Sequence, residues 1–264
     1  MQYIIFTSLM IVFLIALGVK WEIKLKIVIP WAVFVAALGI FLLIILAKYI
    51  PDLSLVINVI LSLILGVVVT ASMILLLFYR DPKRVPPDKD NIIISPADGT
   101  IIYIKEIQGA TFPFSVKGNK EIPLLTFTDE KFLQNGGYQI GIMMSYLDVH
   151  VNRTPIEGRI EYVKRIPGFF SSLKHISSLL ENERVFIVIK GETFKVGLVQ
   201  IASRLVRKII PFVKDGDYVQ QGQKLGVIHF GSQVDILLPK HDTLTLHVKQ
   251  SEYVKAGTSI IATY

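Results

Sequence analysis

Three long apolar stretches crowd the first 78 residues, and they limit what the rest of the chain can be. They run from about Tyr3 to Val19, Ile27 to Leu46 and Leu53 to Phe78. A helix needs roughly 20 largely uncharged residues to cross a bilayer, so the second and third are long enough and the first is marginal. A signal peptide fits the first poorly, because Met1-Gln2-Tyr3 carries no basic residue and no small-residue cleavage pattern follows. The mean hydropathy of +0.55 arises almost wholly here. From Arg80 onward the composition is that of an ordinary soluble domain of about 185 residues, enough for one sizeable core.

Basic residues flank these stretches unevenly. Lys20, Lys24 and Lys26 follow the first, and Arg80, Lys83 and Arg84 follow the third, whereas only Lys48 and Asp52 lie between the second and third. With three spans both basic clusters fall on one side, which the positive-inside rule makes cytoplasmic. Two spans, with the first stretch lying on the surface, leave the domain on the same side. The expectation is therefore a multi-pass protein of the cell membrane with a cytoplasmic domain. Of the net charge of +7, residues 1–79 hold +2 and the remainder +5. That surplus either suits an anionic lipid surface or only aids solubility; no nucleic-acid partner is expected. There is no cysteine, which excludes disulfides, thiolate catalysis and cysteine-ligated metals.

The proline-dense joint Arg80-Asp81-Pro82-Lys83-Arg84-Val85-Pro86-Pro87-Asp88 stops a helix and sets the expected boundary, with helices over 1–79 and a second domain over 80–264. Beyond it, short runs rich in β-branched and aromatic residues alternate with turn signals such as Asp98-Gly99, Gly136-Gly137 and Asp215-Gly216. They predict strands at 92–94, 101–104, 138–143, 159–163, 185–190, 193–199, 224–228, 234–238 and 244–248. Residues 201–210 have room for one short helix. Residues 169–180 are an apolar, serine-rich segment, either interfacial at a membrane surface or a core helix. The fold class is membrane-anchored α+β with a β-rich domain.

Taken singly, the polar motifs say little. Pro96-Ala97-Asp98-Gly99-Thr100 reads as a tight hairpin turn, Glu181-Asn182-Glu183-Arg184 as a solvated turn, and Gly231-Ser232 as a strand kink. Asp148-Val149-His150-Val151-Asn152-Arg153 is denser, and in an extended segment Asp148, His150 and Asn152 share one face while Arg153 takes the other. An unperturbed His150 titrates near neutrality, as proton transfer requires. His175, His241 and His247 lack ligand spacing, so no metal is assigned.

Together, Phe78-Tyr79-Arg80-Asp81-Pro82, Ser95-Pro96-Ala97-Asp98-Gly99, Asp148-Val149-His150-Val151-Asn152-Arg153, Asn182-Glu183-Arg184 and Phe230-Gly231-Ser232 occur in an order that resembles the phosphatidylserine decarboxylase family, in particular its short prokaryotic branch. The resemblance covers Phe78 to about Pro239. It implies a proenzyme that cuts itself between Gly231 and Ser232, giving two chains and leaving a pyruvoyl group derived from Ser232 as the cofactor, without a metal. It implies that Asp98 orients a histidine that activates Ser232, and that the pyruvoyl carbonyl takes up electrons as a serine phospholipid loses carbon dioxide. His150 matches the first of two histidines in the longer bacterial and mitochondrial branch, and Arg153 stands where the second belongs. Either His150 serves both cleavage and decarboxylation, or cleavage uses another base. Phosphatidylserine and archaetidylserine present the same headgroup, so both remain candidate substrates, and the oligomeric state stays open, a homo-oligomer included.

Two other readings compete. The texts around Ser95-Pro96-Ala97-Asp98-Gly99 and Val213-Lys214-Asp215-Gly216 resemble biotinyl and lipoyl domains and the adaptors of efflux pumps, which suggests a barrel-sandwich-like strand arrangement. The Met-Lys pair such carriers modify is missing. An inactive family member kept as a membrane scaffold is the third reading, and the intact Asp98, His150 and Gly231-Ser232 argue against it.

Overall fold

The computed structural model describes residues 2–20, 23, 25–50, 54–108, 114–117, 120–123, 133, 135–166, 183–202, 208–229 and 233–264. Gly231 and Ser232 fall outside this set, as does the segment 169–180. The chain forms two compact units, Met1–Arg80 with Ser145–Leu147, and Asp81–Met144 with Asp148–Tyr264.

The first unit is helical, with α1 (Gln2–Lys20), α2 (Leu25–Tyr49) and α3 (Leu55–Phe78). Ser54 caps α3 by accepting the Ile57 N–H at 3.4 Å. The helices bury small and polar groups beside Met10, Leu14, Val35 and Leu43, and expose many large apolar side chains. Ala32 and Ala36 on α2 are buried, as are Asn58, Ser62 and Thr70 on α3. Gly66 completes that four-residue spacing, and a Cβ there would fall 2.7 Å from Met10 Cε. Trp31 Nε1 donates to Thr70 Oγ1 at 3.3 Å. Leu9, Val56 and Leu76 point outward and are 64%, 67% and 75% exposed. Among the described residues, Leu25–Tyr49 and Val56–Phe78 are long and apolar enough to cross a membrane, whereas Thr7–Val19 is shorter.

The second unit is built of strands. In chain order they are β1 (Ile92–Ile94), β2 (Gly99–Ile107), β3 (Phe114–Lys117), β4 (Lys120–Pro123), β5 (Gly137–Met143) and β6 (Val151–Arg153). Next come β7 (Gly158–Ile166), β8 (Arg184–Lys190), β9 (Lys195–Ile201), β10 (Lys208–Pro211), β11 (Tyr218–Val219) and β12 (Lys224–His229). The last four are β13 (Gln233–Pro239), β14 (Thr245–Leu246), β15 (Tyr253–Val254) and β16 (Ile260–Thr263). An eight-stranded sheet in the order β11-β7-β8-β9-β13-β5-β2-β15 dominates. Two three-stranded sheets, β10-β12-β6 and β1-β16-β14, accompany it, and β3 and β4 form a separate hairpin. All the recorded pairings are antiparallel.

Both faces of the large sheet are buried, which explains its near-continuous apolar strands. On β8, Val185, Ile187 and Ile189 join Leu198, Val234 and Ile236 in the main core, together with Ile93, Ile209, Ile228 and Ile261 of the smaller sheets. Phe186 and Val188 face the other way, with Val199, Ile201 and Leu237. The architecture is thus α+β with a β-rich, curled sheet following the apolar helices.

Three local expectations fail. Residues 208–211 are strand β10 rather than part of a helix, because Lys208–Pro211 pairs with Gly226–His229. Asp98-Gly99 is not a hairpin turn, since β1 pairs with β16 while β2 pairs with β5 and β15. Glu183 and Arg184 are buried rather than solvated. Gly99 has φ +150°, and a Cβ there would lie 2.2 Å from the Met143 carbonyl oxygen. Gly99→Ala is therefore expected to destabilise the chain by about 2 kcal/mol or more, measured as a lowered melting temperature of the full chain in detergent.

Candidate active site

The site is framed by one strand pairing. β6 lies against β12 with Val151 opposite Val227 and Arg153 opposite Lys224. One residue before β6, the His150 carbonyl accepts the Ile228 N–H at 3.3 Å. β12 ends at His229, and β13 begins at Gln233, opposite Met143 and Ile201 in the middle of the eight-stranded sheet. The Gly231-Ser232 bond therefore belongs to a three-residue connection between two sheets, and His150 is anchored to the strand that leads into it.

His150 is fully buried. Its Nδ1 lies 2.8 Å from the Asp148 carbonyl oxygen. A carbonyl only accepts, so Nδ1 carries the proton, and in the neutral ring Nε2 keeps its lone pair. Burial pushes the imidazole down to about 4, against the opposing pull of the Asp148 carbonyl and the charges of Asp148 and Asp98. The nearby His229 adds to the lowering. At neutral pH the ring is thus an uncharged base. His229 itself is lowered by burial and by Lys208, its partner in the β10–β12 ladder.

The extended geometry expected from Asp148 onward begins only at Val151. Asp148 instead lies in a bend, where its Oδ1 accepts the Tyr253 hydroxyl proton at 2.6 Å. Asn152 is buried, and its Oδ1 accepts from Gln200 Nε2 at 2.8 Å.

Asp98 is buried, and its partner is Arg84. The guanidinium grips both carboxylate oxygens, with Nη2 to Oδ2 at 2.7 Å, and Nη1 also donates to the Ala256 carbonyl at 2.7 Å. The Ala256 N–H donates to Asp98 Oδ1 at 2.7 Å. The carboxylate in turn raises the Arg84 pKa, mainly through these hydrogen bonds.

Arg153 braces the joint. Its Nη2 donates to Asp81 Oδ1 at 2.7 Å and to the Pro82 carbonyl at 3.1 Å, and its Nη1 donates to the Gly222 carbonyl at 3.0 Å. Lys224 also pairs with Asp81. The residue standing where a second histidine is expected is therefore committed to holding the segment after α3.

Asp98 and His150 thus come within electrostatic reach of each other, and Ser232 lies outside the described residues. Sequence reasoning missed Arg84, Tyr253 and the influence of His229. The first was legible only as a flanking charge, Tyr253 lies far in sequence from every motif, and His229 adjoins Phe230-Gly231-Ser232 but gives no sequence sign that it faces His150. Among the described residues no three His, Asp or Glu side chains cluster as metal ligands do.

A family model described as phosphatidylserine decarboxylase matches residues 73–262. A relative from Methanocaldococcus jannaschii, named "Putative archaetidylserine decarboxylase proenzyme", is 42% identical over 191 residues, which cover 70% of this chain and 87% of the relative. A protein of the same name from Methanothermobacter thermautotrophicus is 37% identical, covering 71% of this chain and 79% of its own length. The phosphatidylserine decarboxylase proenzyme of Azorhizobium caulinodans is 37% identical, covering 71% and 72%. The family match and these relatives place the chain among decarboxylases made as proenzymes. The chain belongs to the phosphatidylserine decarboxylase family.

Because His150 is held neutral, the unfolded chain takes up a proton below the ordinary histidine range that the folded chain refuses. Stability is therefore complete above about pH 6.5 and is lost as pH falls towards 4. The depression corresponds to about 3 kcal/mol. Melting the full chain in detergent from pH 7 to pH 4 checks this, and His150→Gln should flatten the profile.

Proposed function

We propose that this chain is a membrane-anchored, pyruvoyl-dependent decarboxylase of serine phospholipids that activates itself by cutting the Gly231-Ser232 bond. The observation that carries the reading is a buried, uncharged His150 whose Nδ1 is capped by a carbonyl and whose backbone is tied to the strand entering that bond. The names of the relatives supply the substrate class.

In this reading His150 Nε2 takes the hydroxyl proton of Ser232. The serine oxygen attacks the Gly231 carbonyl carbon, the C–N bond breaks, and the freed nitrogen receives the proton, leaving an ester. Loss of the Ser232 α-proton with departure of the Gly231 carboxylate breaks the ester. Water then replaces the nitrogen, which leaves as ammonia, so that residue 232 ends the new chain as a pyruvoyl group. Asp98, held by Arg84, lends negative potential that favours the protonated imidazole while it exists.

The pyruvoyl group supplies the electron sink for decarboxylation. His150 holds no proton at Nε2 in neutral solution. A proton it returns to the substrate's α-carbon must therefore be one it first accepted, and the ammonium of the serine headgroup is the source at hand. One imidazole can in this way serve both steps, which fits Arg153 standing where a second histidine is expected.

The helical unit fits a bilayer. Its small and polar residues turn inward and many of its large aliphatic side chains turn outward, as in membrane bundles. The clusters of basic residues support a cytoplasmic domain. Residues 232–264 supply β13 through β16, which pair with β5, β9, β2 and β1. The two chains are thus expected to stay together after cleavage.

Wild-type protein should resolve on a denaturing gel into two pieces, with 232–264 blocked to Edman degradation, and should decarboxylate phosphatidylserine or archaetidylserine in vesicles. An active preparation with an intact, unmodified Ser232 would sink the reading. Ser232→Ala is expected to remain whole and inactive, and His150→Ala to remain uncleaved. The self-cleavage rate of the wild type should hold steady as pH falls through 6.5 and decline only near 4.

A further inference from the structure

The centre of the eight-stranded sheet contains a charged group that the proposed chemistry does not use. Asp235, on β13 between β5 and β9, is fully buried, as are Gln139 and Gln233. The Tyr103 hydroxyl and Gln139 Nε2 donate to Asp235 Oδ2 at 2.7 and 2.8 Å. Gln233 Nε2 donates to Asp235 Oδ1 at 2.8 Å and to the Tyr103 oxygen at 3.0 Å. Each of these groups aims a donor inward, and an acceptor-only carboxylate is the partner such a set fits.

The arrangement is built from three strands. Asp235 lies opposite Gly141, and Gly141 lies opposite Tyr103. A Cβ at residue 141 would fall 2.5 Å from Tyr103 Cζ, so the glycine makes room for the ring to pass over β5 and reach the carboxylate. The neighbouring core positions are Val, Ile and Leu. Burying a carboxylate and two amides among them carries a desolvation cost that aliphatic residues would avoid. The network converges on Asp235, and one of its donors is Gln233, the residue bonded to Ser232.

We infer that Tyr103 and Asp235, themselves held by Gln139, are positioning residues that grip Gln233 and so aim residue 232, first as the attacking serine and then as the new chain's first residue. This rests on the proposed cleavage at Gly231-Ser232. Once that bond is cut, β13 loses its covalent tether to β12. The side-chain grip on Gln233 then adds to the ladders with Met143 and Ile201 in fixing the start of the chain. Ordering the nucleophile and later the carbonyl group is worth large rate factors when lost.

The test uses full-length protein in detergent carrying Tyr103→Phe, Asp235→Asn or Asp235→Ala. Three quantities are followed: the self-cleavage rate, kcat and KM of the fully processed enzyme, and the rate at which phenylhydrazine generates its hydrazone absorbance on the processed chain. Tyr103→Phe removes one oxygen and should slow cleavage about tenfold or more. It should lower kcat with KM unchanged, and it should change the hydrazone rate. Asp235→Asn, which keeps one acceptor oxygen, should be milder than Asp235→Ala. If the aspartate variants do not fold, Tyr103→Phe decides. A lowered melting temperature with wild-type cleavage, kcat and hydrazone rates would overturn the inference and leave the network purely structural. Failure of the wild type itself to cleave would instead overturn the proposed function.

Discussion

The pairing of β6 with β12 is the contact on which the rest of the site depends. It is a short ladder, yet it brings a histidine from the middle of the chain beside the strand that enters the Gly231-Ser232 bond. The strand leaving that bond belongs to a different sheet and is flanked on both sides by β5 and β9. Burial of His150 follows from the same packing, and it turns a residue that ordinarily titrates near neutrality into a neutral base.

The segment after α3 is drawn into this unit by two part-buried ion pairs, Asp81 with Arg153 and Arg84 with Asp98. The second pair bears on the chemistry. A carboxylate expected to orient a histidine is gripped by a guanidinium, which cannot act as a base. The carboxylate keeps its charge within reach of His150 but acts through space. Arg84 and Arg153 thus tie the segment after α3 to two different parts of the strand unit, Asp98 and Ala256 in one case and the β6 end in the other.

Much of this was legible in the sequence. The apolar stretches, the strand alternation and the ordered motifs identified α+β architecture and family, because burial on both sheet faces writes itself as runs such as Val185-Phe186-Ile187-Val188-Ile189. Residues 208–211 misled because strand and helix share short apolar runs, and only the partner β12 decides between them. Asp98-Gly99 misled because glycine is needed there for close strand approach rather than for a turn. The Asp235 cluster carried a signal that went unread: polar Gln233 and Asp235 at the two alternate positions of one strand face, matched by Gln139 on the strand alongside. Arg84 carried none, since a basic residue after a hydrophobic helix is expected for topology alone.

The interleaving of β13 to β16 among strands from earlier in the chain has a kinetic consequence under the proposed cleavage at Gly231-Ser232. Before that proposed cut, folding is a unimolecular search, and every strand of 232–264 is delivered at high effective concentration by its own tether. After the cut, the same native contacts join two separate molecules. Unfolding then releases a 33-residue piece that would have to be recaptured from solution. Maturation thereby turns a reversible fold into one whose persistence is governed by the height of its unfolding barrier.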